Sequence, residues 1–466
     1  MKRFINSSKI KNEMNQINVL KDLEKRKIIK KQKSTSFLHV DNFKPFKIDE
    51  ISTKKIEDDN ILVLKSKQKE FEYWIDQDIF IPPWQTHWFQ LKDGFLLKLK
   101  EGELKRIIEK ARGKAGNTYK LCKAIKLSSP SFYIFLNGKI NLISVKKLKR
   151  ILKFLNIPYR KFNKKIEFTK KGPIISINNP KFPIDLNSTN GAAILGSVVS
   201  DGSLYIDKKA RCVIRTKYYS NEKELLNKFI NRINKVYGEV HFQKENIRNC
   251  TTLKIGSSII GETLVKVGAI LGNKAKKNGK VPWIIRKGPK EIKKEYLIAA
   301  FDDESSICVS GKKSYIIISR YKQIKITKKQ DKKLSKLEKQ MSKRELPTGH
   351  INKSITIKRA TELINDERLE KEIKSIPNLL SGESKILNDM DIKHRIWNRC
   401  LNKNHSGSYS VCCDLIINRK KSIMNFYDKI SFSLSRKQEK LINIVKFIRQ
   451  NDTKGFQHLN AKEGDL

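Results

Sequence analysis

Cysteine is scarce in this chain and follows no recognisable spacing. The 466 residues include seven cysteines, and no two of them form a Cys-X-X-Cys pair. An odd and scattered set argues against a disulfide framework, and the spacing is not that of a zinc site. We therefore expect a reduced, intracellular protein without structural zinc.

Long apolar runs are also missing. No stretch approaches the roughly 20 apolar residues that a membrane helix needs, and Met1-Lys-Arg-Phe is not followed by the apolar core of a signal peptide. No glycine-rich phosphate loop and no Ser, His and Asp order stands out either. The sequence thus predicts neither a membrane protein nor a secreted one.

Acidic residues are few compared with basic ones. There are 48 Asp and Glu against 99 Lys and Arg, which gives a net charge of +51. The bases are spread along the whole length rather than concentrated on one amphipathic helix, which favours nucleic acid over a membrane surface as the partner. A biased, Lys/Asn/Ile-rich genome composition is the alternative source of this excess.

Composition divides the first part of the chain into three segments. Residues 1–80 are polar and Lys-rich and predict a basic, poorly ordered arm. Residues 81–165 predict a compact helical domain, and residues 166–190 predict a linker because Pro, Gly and Asn interrupt regular structure.

The helical segment has the pattern of a helix-turn-helix. A helix over residues 118–125 is followed by Ser-Ser-Pro and a second short helix, and lysines surround both. In such a motif the second helix enters the major groove, so Ser129, Ser131 and Tyr133 near its start are candidate DNA contacts. An ordinary helix bundle without DNA contact is the alternative.

Two segments about a hundred residues apart read alike. Residues 194–202 are Ile-Leu-Gly-Ser-Val-Val-Ser-Asp-Gly, and residues 297–305 are Leu-Ile-Ala-Ala-Phe-Asp-Asp-Glu-Ser. Asp201 and Glu304 occupy the same position in the two copies. Like charges held close together repel strongly unless a cation lies between them, and hard oxygen ligands select Mg²⁺ or Mn²⁺. Small residues would let two such helices approach closely: Gly196, Ser200, Ala299 and Ala300.

These motifs resemble those of the LAGLIDADG homing endonucleases in their single-chain, two-motif form. The resemblance covers about residues 183–445 and includes Pro-Ile-Asp-Leu-Asn-Ser-Thr-Asn-Gly-Ala at 183–192 and Val-Pro-Trp-Ile-Ile at 281–285. It implies an α+β fold in which two αββαββα halves, residues 191–295 and 296–452, are related by a pseudo-two-fold axis and form a saddle-shaped sheet surface. An insertion at about 342–405 lengthens the second half, and residues 453–466 form a tail.

The resemblance also implies an activity and a site. The expected activity is site-specific, metal-dependent cleavage of both strands of DNA by a monomer. Asp201 and Glu304 would be the metal ligands and catalytic acids, and Lys254 would be the basic residue beside the metal in the first half. Strand residues would contact the DNA, most of them at its phosphates: Arg211, Arg215, Lys217, Arg320, Lys322 and Lys325.

The second motif departs from the family pattern. Asp302, Asp303 and Glu304 form an acidic cluster, and Ser305 stands where the first motif has Gly202. Two alternatives therefore stay open. The chain could be a DNA-binding regulator that kept the fold but does not cut, or a maturase that binds the RNA of its host intron.

Overall fold

The computed structural model describes residues 19–460 except for short gaps. These gaps are residues 33–34, 41–42, 44, 57–58, 68, 93, 139–140, 172–173, 209–212, 248–249, 311–312, 343–354, 365 and 405–406.

The N-terminal part of the described chain is a folded β-structure. A three-stranded sheet has the order β1-β2-β3, and a four-stranded antiparallel sheet has the order β4-β5-β6-β7. The prediction of a poorly ordered arm over residues 1–80 is wrong for the described part of that range, because β5 is a central strand whose residues 61–64 are all buried. The strands are β1 (Ile29–Gln32), β2 (Thr35–Leu38), β3 (Phe46–Lys47), β4 (Glu50–Ile56), β5 (Asp59–Ser66), β6 (Lys69–Trp74) and β7 (Ile79–Ile81).

The next part mixes helices with a sheet. Four strands pair in the order β10-β9-β11-β12, and β8 pairs with β13. The predictions of an all-α domain at 81–165 and of an irregular linker at 166–190 are therefore wrong, because the supposed linker supplies two strands that extend this sheet. The elements are β8 (Gln85–Thr86), β9 (Phe95–Leu99), α1 (Glu103–Ala115), α2 (Thr118–Ile125), α3 (Ser129–Leu136), β10 (Leu142–Ser144), α4 (Val145–Phe154), β11 (Ile166–Lys171), β12 (Ile174–Asn178) and β13 (Ile184–Asp185).

Helices α2 and α4 begin where local capping signals predict, whereas α1 continues through Gly113 to Ala115. The side chain of Asn117 accepts a hydrogen bond from the backbone N–H of Lys120 at 2.8 Å, which caps α2. Ser144 caps α4 in the same way through the backbone N–H of Lys147. The assignment of α2 and α3 to a helix-turn-helix stays a prediction.

A helix, two strands, a helix, two strands and a helix follow in order. The four strands form one antiparallel sheet in the order β14-β15-β17-β16. The elements are α5 (Thr189–Val199), β14 (Gly202–Asp207), β15 (Val213–Ser220), α6 (Lys223–Tyr237), β16 (Phe242–Ile247), β17 (Cys250–Ile255) and α7 (Ser258–Lys266). Two short helices, α8 (Lys274–Lys277) and α9 (Trp283–Lys287), then lead into the second acidic motif.

The last part forms a larger sheet with the order β18-β19-β22-β21-β20. Compared with the preceding unit, this part has additional elements between the helix that follows β19 and β21. The elements are α10 (Lys290–Glu304), β18 (Ser305–Ser310), β19 (Lys313–Ile324), α11 (Lys328–Ser342), β20 (Ile355–Thr356), α12 (Ile357–Ile364), α13 (Glu367–Lys374), α14 (Asn378–Asp389), β21 (Arg395–Lys403), β22 (Tyr409–Ile417), α15 (Lys420–Lys429) and α16 (Ser435–Asn460).

The whole is a mixed α+β structure, and this part of the fold prediction is confirmed. Helices α5 and α10 pack against each other and against strands of the two large sheets, and every residue from 191 to 199 and most of the second half of α10 are buried. Within the described part of the chain, no helix combines the length and the apolar character that crossing a membrane requires.

Candidate active site

Helices α5 and α10 cross in close contact because small residues let their backbones come close. A Cβ atom built on Gly196 would lie 2.5 Å from the carbonyl oxygen of Tyr296 and 2.8 Å from the Cβ of Ala299. Only glycine can occupy this point of contact without a shift of one helix. The predicted interface residues Ala299 and Ala300 are fully buried there, and Ser200 lies at the end of α5.

The two acids of the repeated motif lie at the same ends of these helices. Asp201 comes two residues after α5, and Glu304 is the last residue of α10. Burial and the negative charge of Glu304 together raise the pKa of Asp201 to about 6. The carboxylates are therefore within electrostatic reach of each other in a partly dehydrated setting.

The other two acids of the second motif have structural partners. The Asp302 carboxylate accepts hydrogen bonds from the backbone N–H groups of Ser433 and Leu434, which holds the start of α16. Asp303 Oδ1 accepts a hydrogen bond of 2.7 Å from the hydroxyl of Tyr218. Burial, reinforced by the charge of Asp201, raises the pKa of Asp303 well above its usual range. These two carboxylates thus connect α10 to neighbouring elements.

A lysine side chain contacts the carbonyl groups at the end of each of the two helices, half-buried at Lys274 and buried at Lys437. Lys274 Nζ donates to the carbonyl oxygens of Val199 and Gly202, both at 2.9 Å, and also to that of Ser200. Burial lowers the pKa of Lys274 to about 8. The positive end of this side chain stabilises both the helix terminus and the charge of Asp201.

Lys437 does the same for α10. Its Nζ donates to the carbonyl oxygens of Phe301 at 2.9 Å and of Asp302 at 2.6 Å, and burial lowers its pKa to about 8. Sequence reasoning missed both lysines because each reaches its helix from a distant segment. The only signal for Lys274 was its place in a lysine-rich run between the two motifs.

Arg320 is inside the protein, so its prediction as a DNA contact is wrong. Its guanidinium pairs with both oxygens of Glu383, at 2.7 and 3.0 Å. Its Nη1 lies 3.2 Å from Glu304 Oε1, and its Nη2 donates to Ser200 Oγ at 3.2 Å. This buried cation therefore compensates part of the charge of the acid pair and joins the two motif helices.

The prediction that Lys322 contacts DNA is also wrong, because its position in β19 directs the side chain to the buried face of the sheet. Alternate residues of β19, including positions 316, 318, 320 and 322, point to the buried side of the sheet. Lys322 Nζ donates to the carbonyl oxygen of Glu372 and to Ser375. Lys325 lies just beyond the strand and is exposed, whereas Arg211 lies outside the described residues.

Three other residues predicted to contact DNA or the metal share the outward face of the sheet formed by β14, β15, β17 and β16. Lys217 and Lys254 are cross-strand partners on β15 and β17, and Arg215 stands two positions before Lys217. Lys217 Nζ is 4.8 Å from the ring centroid of Tyr205. Lys254 forms an ion pair with Glu245, and the lysines whose charge acts most strongly on Asp201 are Lys274 and Lys437.

Near the predicted helix-turn-helix, Tyr133 is 51% exposed on α3 and Ser129 is exposed at its start. Ser131 Oγ is 2.8 Å from Ser128 Oγ, so this pair supports the turn.

The acid pair has the chemistry of a small divalent-ion site. Asp201 and Glu304 offer hard oxygen ligands, and their mutual repulsion favours a cation between them. Among the described residues, no group of three or more His, Cys, Asp or Glu side chains could hold a metal ion. The residues therefore suit an ion whose remaining ligands are water and substrate phosphate, as is usual for Mg²⁺.

No protein-family model and no curated protein matches the chain. Solved structures similar to the chain include those of the homing endonuclease I-DmoI. Mesophilic variants of I-DmoI are 13% identical, with a TM-score of 0.30 over 53% of this chain and 97% of that chain. I-DmoI in complex with DNA and Ca is also 13% identical, with a TM-score of 0.30 over 53% and 92% of the two chains. A double mutant of I-SmaMI is 10% identical, with a TM-score of 0.25 over 59% and 98%. Identities and TM-scores this low assign no activity to the chain.

Proposed function

We propose that this chain is a divalent-metal-dependent endonuclease that cuts double-stranded DNA at specific sites. The observation that supports the proposal best is the pair formed by Asp201 and Glu304. Burial and, second to it, the charge of Glu304 at the end of the neighbouring helix raise the pKa of Asp201 to about 6. Strong perturbation by burial and a specific charge partner is typical of catalytic groups.

The roles of the residues follow from their contacts. Asp201 and Glu304 would hold Mg²⁺ or Mn²⁺, which when bound supplies Lewis-acid activation of a phosphodiester. Lys274 and Lys437 fix the two helix ends and carry positive charge toward the acids. A negative scissile phosphate would be attracted by both lysines at the moment it approaches the acids.

The surface on either side of the acids would bind the DNA. Arg215, Lys217 and Lys254 stand on one outward sheet face that begins next to Asp201, and such bases would contact phosphates. In this proposal the two sheet-bearing units are pseudo-two-fold halves of one saddle, and a single chain suffices as a monomer. Helices α2 and α3 would lengthen the recognised site, with Ser129, Ser131 and Tyr133 at the groove.

A DNA-binding regulator that does not cut is the second candidate, and one observation favours it. Arg320 already supplies a cation 3.2 Å from Glu304, and Arg320 is itself held by Glu383. A built-in counter-charge reduces the gain from binding a metal ion beside Glu304. Intron RNA as the ligand of the same scaffold is the third candidate.

The test is cleavage of a random-sequence duplex library by the full chain in Mg²⁺ or Mn²⁺, followed by sequencing of the new ends. We expect a small number of related sequences to be cut, with new ends on both strands of the duplex. Protein-bound sequences without new ends would favour the regulator, and retention of intron RNA over every duplex would favour the maturase. Glu439→Gln, at an exposed acid of α16, is the matched control for Asp201→Asn and Glu304→Gln.

A further inference from the structure

The two acidic motifs have a lysine in common at their ends. Lys274 Nζ donates to the carbonyl oxygen of Gly202 at 2.9 Å, on the residue that follows the first acid. Lys437 Nζ donates to Ser305 Oγ at 3.4 Å, on the residue that follows the second acid. The lysines therefore do not distinguish one acid from the other.

Arg320, in contrast, belongs to one side of the site only. The residues that follow the two acids pair with Tyr218 in the sheet of β14 to β17 and with Ile318 in the sheet of β18 to β22. Two positions beyond these partners stand Ser220 and Arg320, respectively. The buried hydroxyl of Ser220 accepts a hydrogen bond of 3.1 Å from the backbone N–H of Glu222. One sheet thus offers a neutral hydroxyl where the other offers a guanidinium.

The two acids are consequently paired in different ways. Arg320 Nη1 lies 3.2 Å from Glu304 Oε1, whereas Asp201 forms no ion pair with any residue that the structure describes. A carboxylate oxygen that already accepts from a guanidinium is less available to another cation, and the guanidinium charge opposes a second positive charge at the same point. Asp201 is therefore the better ligand for a divalent ion.

Arg320 is held beside Glu304 by its other nitrogen atoms. Its Nε and Nη2 donate to the two oxygens of Glu383 at 3.0 and 2.7 Å, and Glu383 is fully buried on α14. The hydroxyl of Tyr296 also donates to Glu383, at 3.3 Å. Movement of the guanidinium toward solvent would leave the charge of Glu383 unpaired in the interior. The cation beside Glu304 is thus a fixed part of the site.

We propose that Arg320 is a permanent counter-cation for Glu304, so that the acid pair holds one divalent ion, on the Asp201 side, and the two DNA strands are cut in a fixed order. This inference rests on the proposed endonuclease function. The two acids come from the two sheet-bearing units, so the phosphates they face belong to opposite strands of the duplex. The strand that faces Asp201 is cut first, and nicked duplex accumulates before the second strand is cut.

Metal binding tests the inference without requiring cleavage. The full chain is bound to a duplex selected from a random library by binding in Ca²⁺, and bound Mn²⁺ is counted from the loss of the free-ion electron paramagnetic resonance signal. We expect one Mn²⁺ per complex above the background of free duplex, lost in Asp201→Asn and kept in Glu304→Gln. Two ions in the intact complex, or an equal loss in both variants, would overturn the inference.

A double variant makes the two sides of the site alike. Arg320→Met with Glu383→Gln removes both charges of the buried pair, so that neither is left uncompensated. This variant should bind a second Mn²⁺ through Glu304. The matched control is Lys149→Met with Asp59→Asn, which removes an equally buried pair from the N-terminal part and should still bind one. A folded double variant that binds only one ion, or a control that binds two, contradicts the role of Arg320.

Strand order is measured by single-turnover cleavage of the same duplex with a different fluorophore on each strand. The intact chain should cut the two strands at rates that differ at least about tenfold, and the double variant at rates within about threefold of each other. Glu304→Gln should keep the fast cut. Equal rates in the intact chain would overturn the inference. No cleavage of either strand, together with the expected Mn²⁺ counts, would support the role of Arg320 and refute the endonuclease proposal alone.

Discussion

The contact between the two motif helices at Gly196 yields a quantitative prediction. In Gly196→Ala, the new methyl group would lie 2.5 Å from the carbonyl oxygen of Tyr296 and 2.8 Å from the Cβ of Ala299. Ordinary contacts of this kind are about 3.5–4.0 Å. One helix must therefore move by about an ångström against a fully packed neighbour.

The expected cost is that of overpacking a core, about 1–3 kcal/mol. Replacing glycine by alanine within a helix also contributes up to about 1 kcal/mol of stabilisation. Gly113→Ala separates the two effects, because Gly113 lies within α1, is exposed and has no atom within 4 Å of an added Cβ. Gly113→Ala should be neutral or stabilising, and Gly196→Ala should be less stable than Gly113→Ala by the full overpacking cost.

Thermal unfolding of the two variants measures this difference. A cost of about 2 kcal/mol corresponds to a fall of roughly 4–8 °C in the Tm of a domain of 150–250 residues. The shift should also misplace the acids and slow cleavage. If Gly196→Ala unfolds at the same temperature as Gly113→Ala, the helices do not touch at this point and the reasoning fails.

Two further predictions concern pH and the N-terminal part. Because the folded-state pKa of Asp201 is raised from 3.8 to about 6, the folded protein loses stability as pH rises between these values. In thermal melts across pH, Asp201→Asn should therefore match the intact chain near pH 4 and be more stable than it at pH 7. Equal melting temperatures of the two proteins at every pH would contradict the burial of this acid. Lys149→Met removes the nearest cation of the buried Asp59, whose Oδ2 lies 2.7 Å from Lys149 Nζ, while Lys153 at 3.6 Å and the Tyr159 hydroxyl still contact Asp59. The loss of this charged hydrogen bond should cost about 1.5–3 kcal/mol in denaturant unfolding, whereas Lys105→Met at an exposed pair should cost less than about 1 kcal/mol. Equal small effects would mean that this core is not formed.

The motif helices could be predicted from sequence because their pattern is local. The small residues Gly196, Ala299 and Ala300 predict close helix packing, and the acids follow at the helix ends. The bounds of other elements, such as β22 and α2, also agree with local periodicity.

The parts that failed depend on parity and on distant contacts. Arg320 and Lys322 look like surface bases in the sequence, but a one-residue difference in register decides which face of β19 they occupy. Lys274 and Lys437 join the site through carbonyl groups more than seventy residues away. In the N-terminal part, the high lysine content led to a prediction of disorder, although short apolar segments such as residues 61–64 form a sheet.

The most direct test of the central claim compares cleavage and binding in the same samples. Single-turnover cleavage of a selected duplex in Mg²⁺ is measured for the intact chain, for Asp201→Asn and for the control Glu439→Gln, together with the Kd for that duplex. We expect Asp201→Asn to abolish cleavage while its Kd stays within about tenfold of the intact value, and we expect the control to cut normally. Undiminished cleavage by Asp201→Asn would contradict the assignment of the acid pair as the active site.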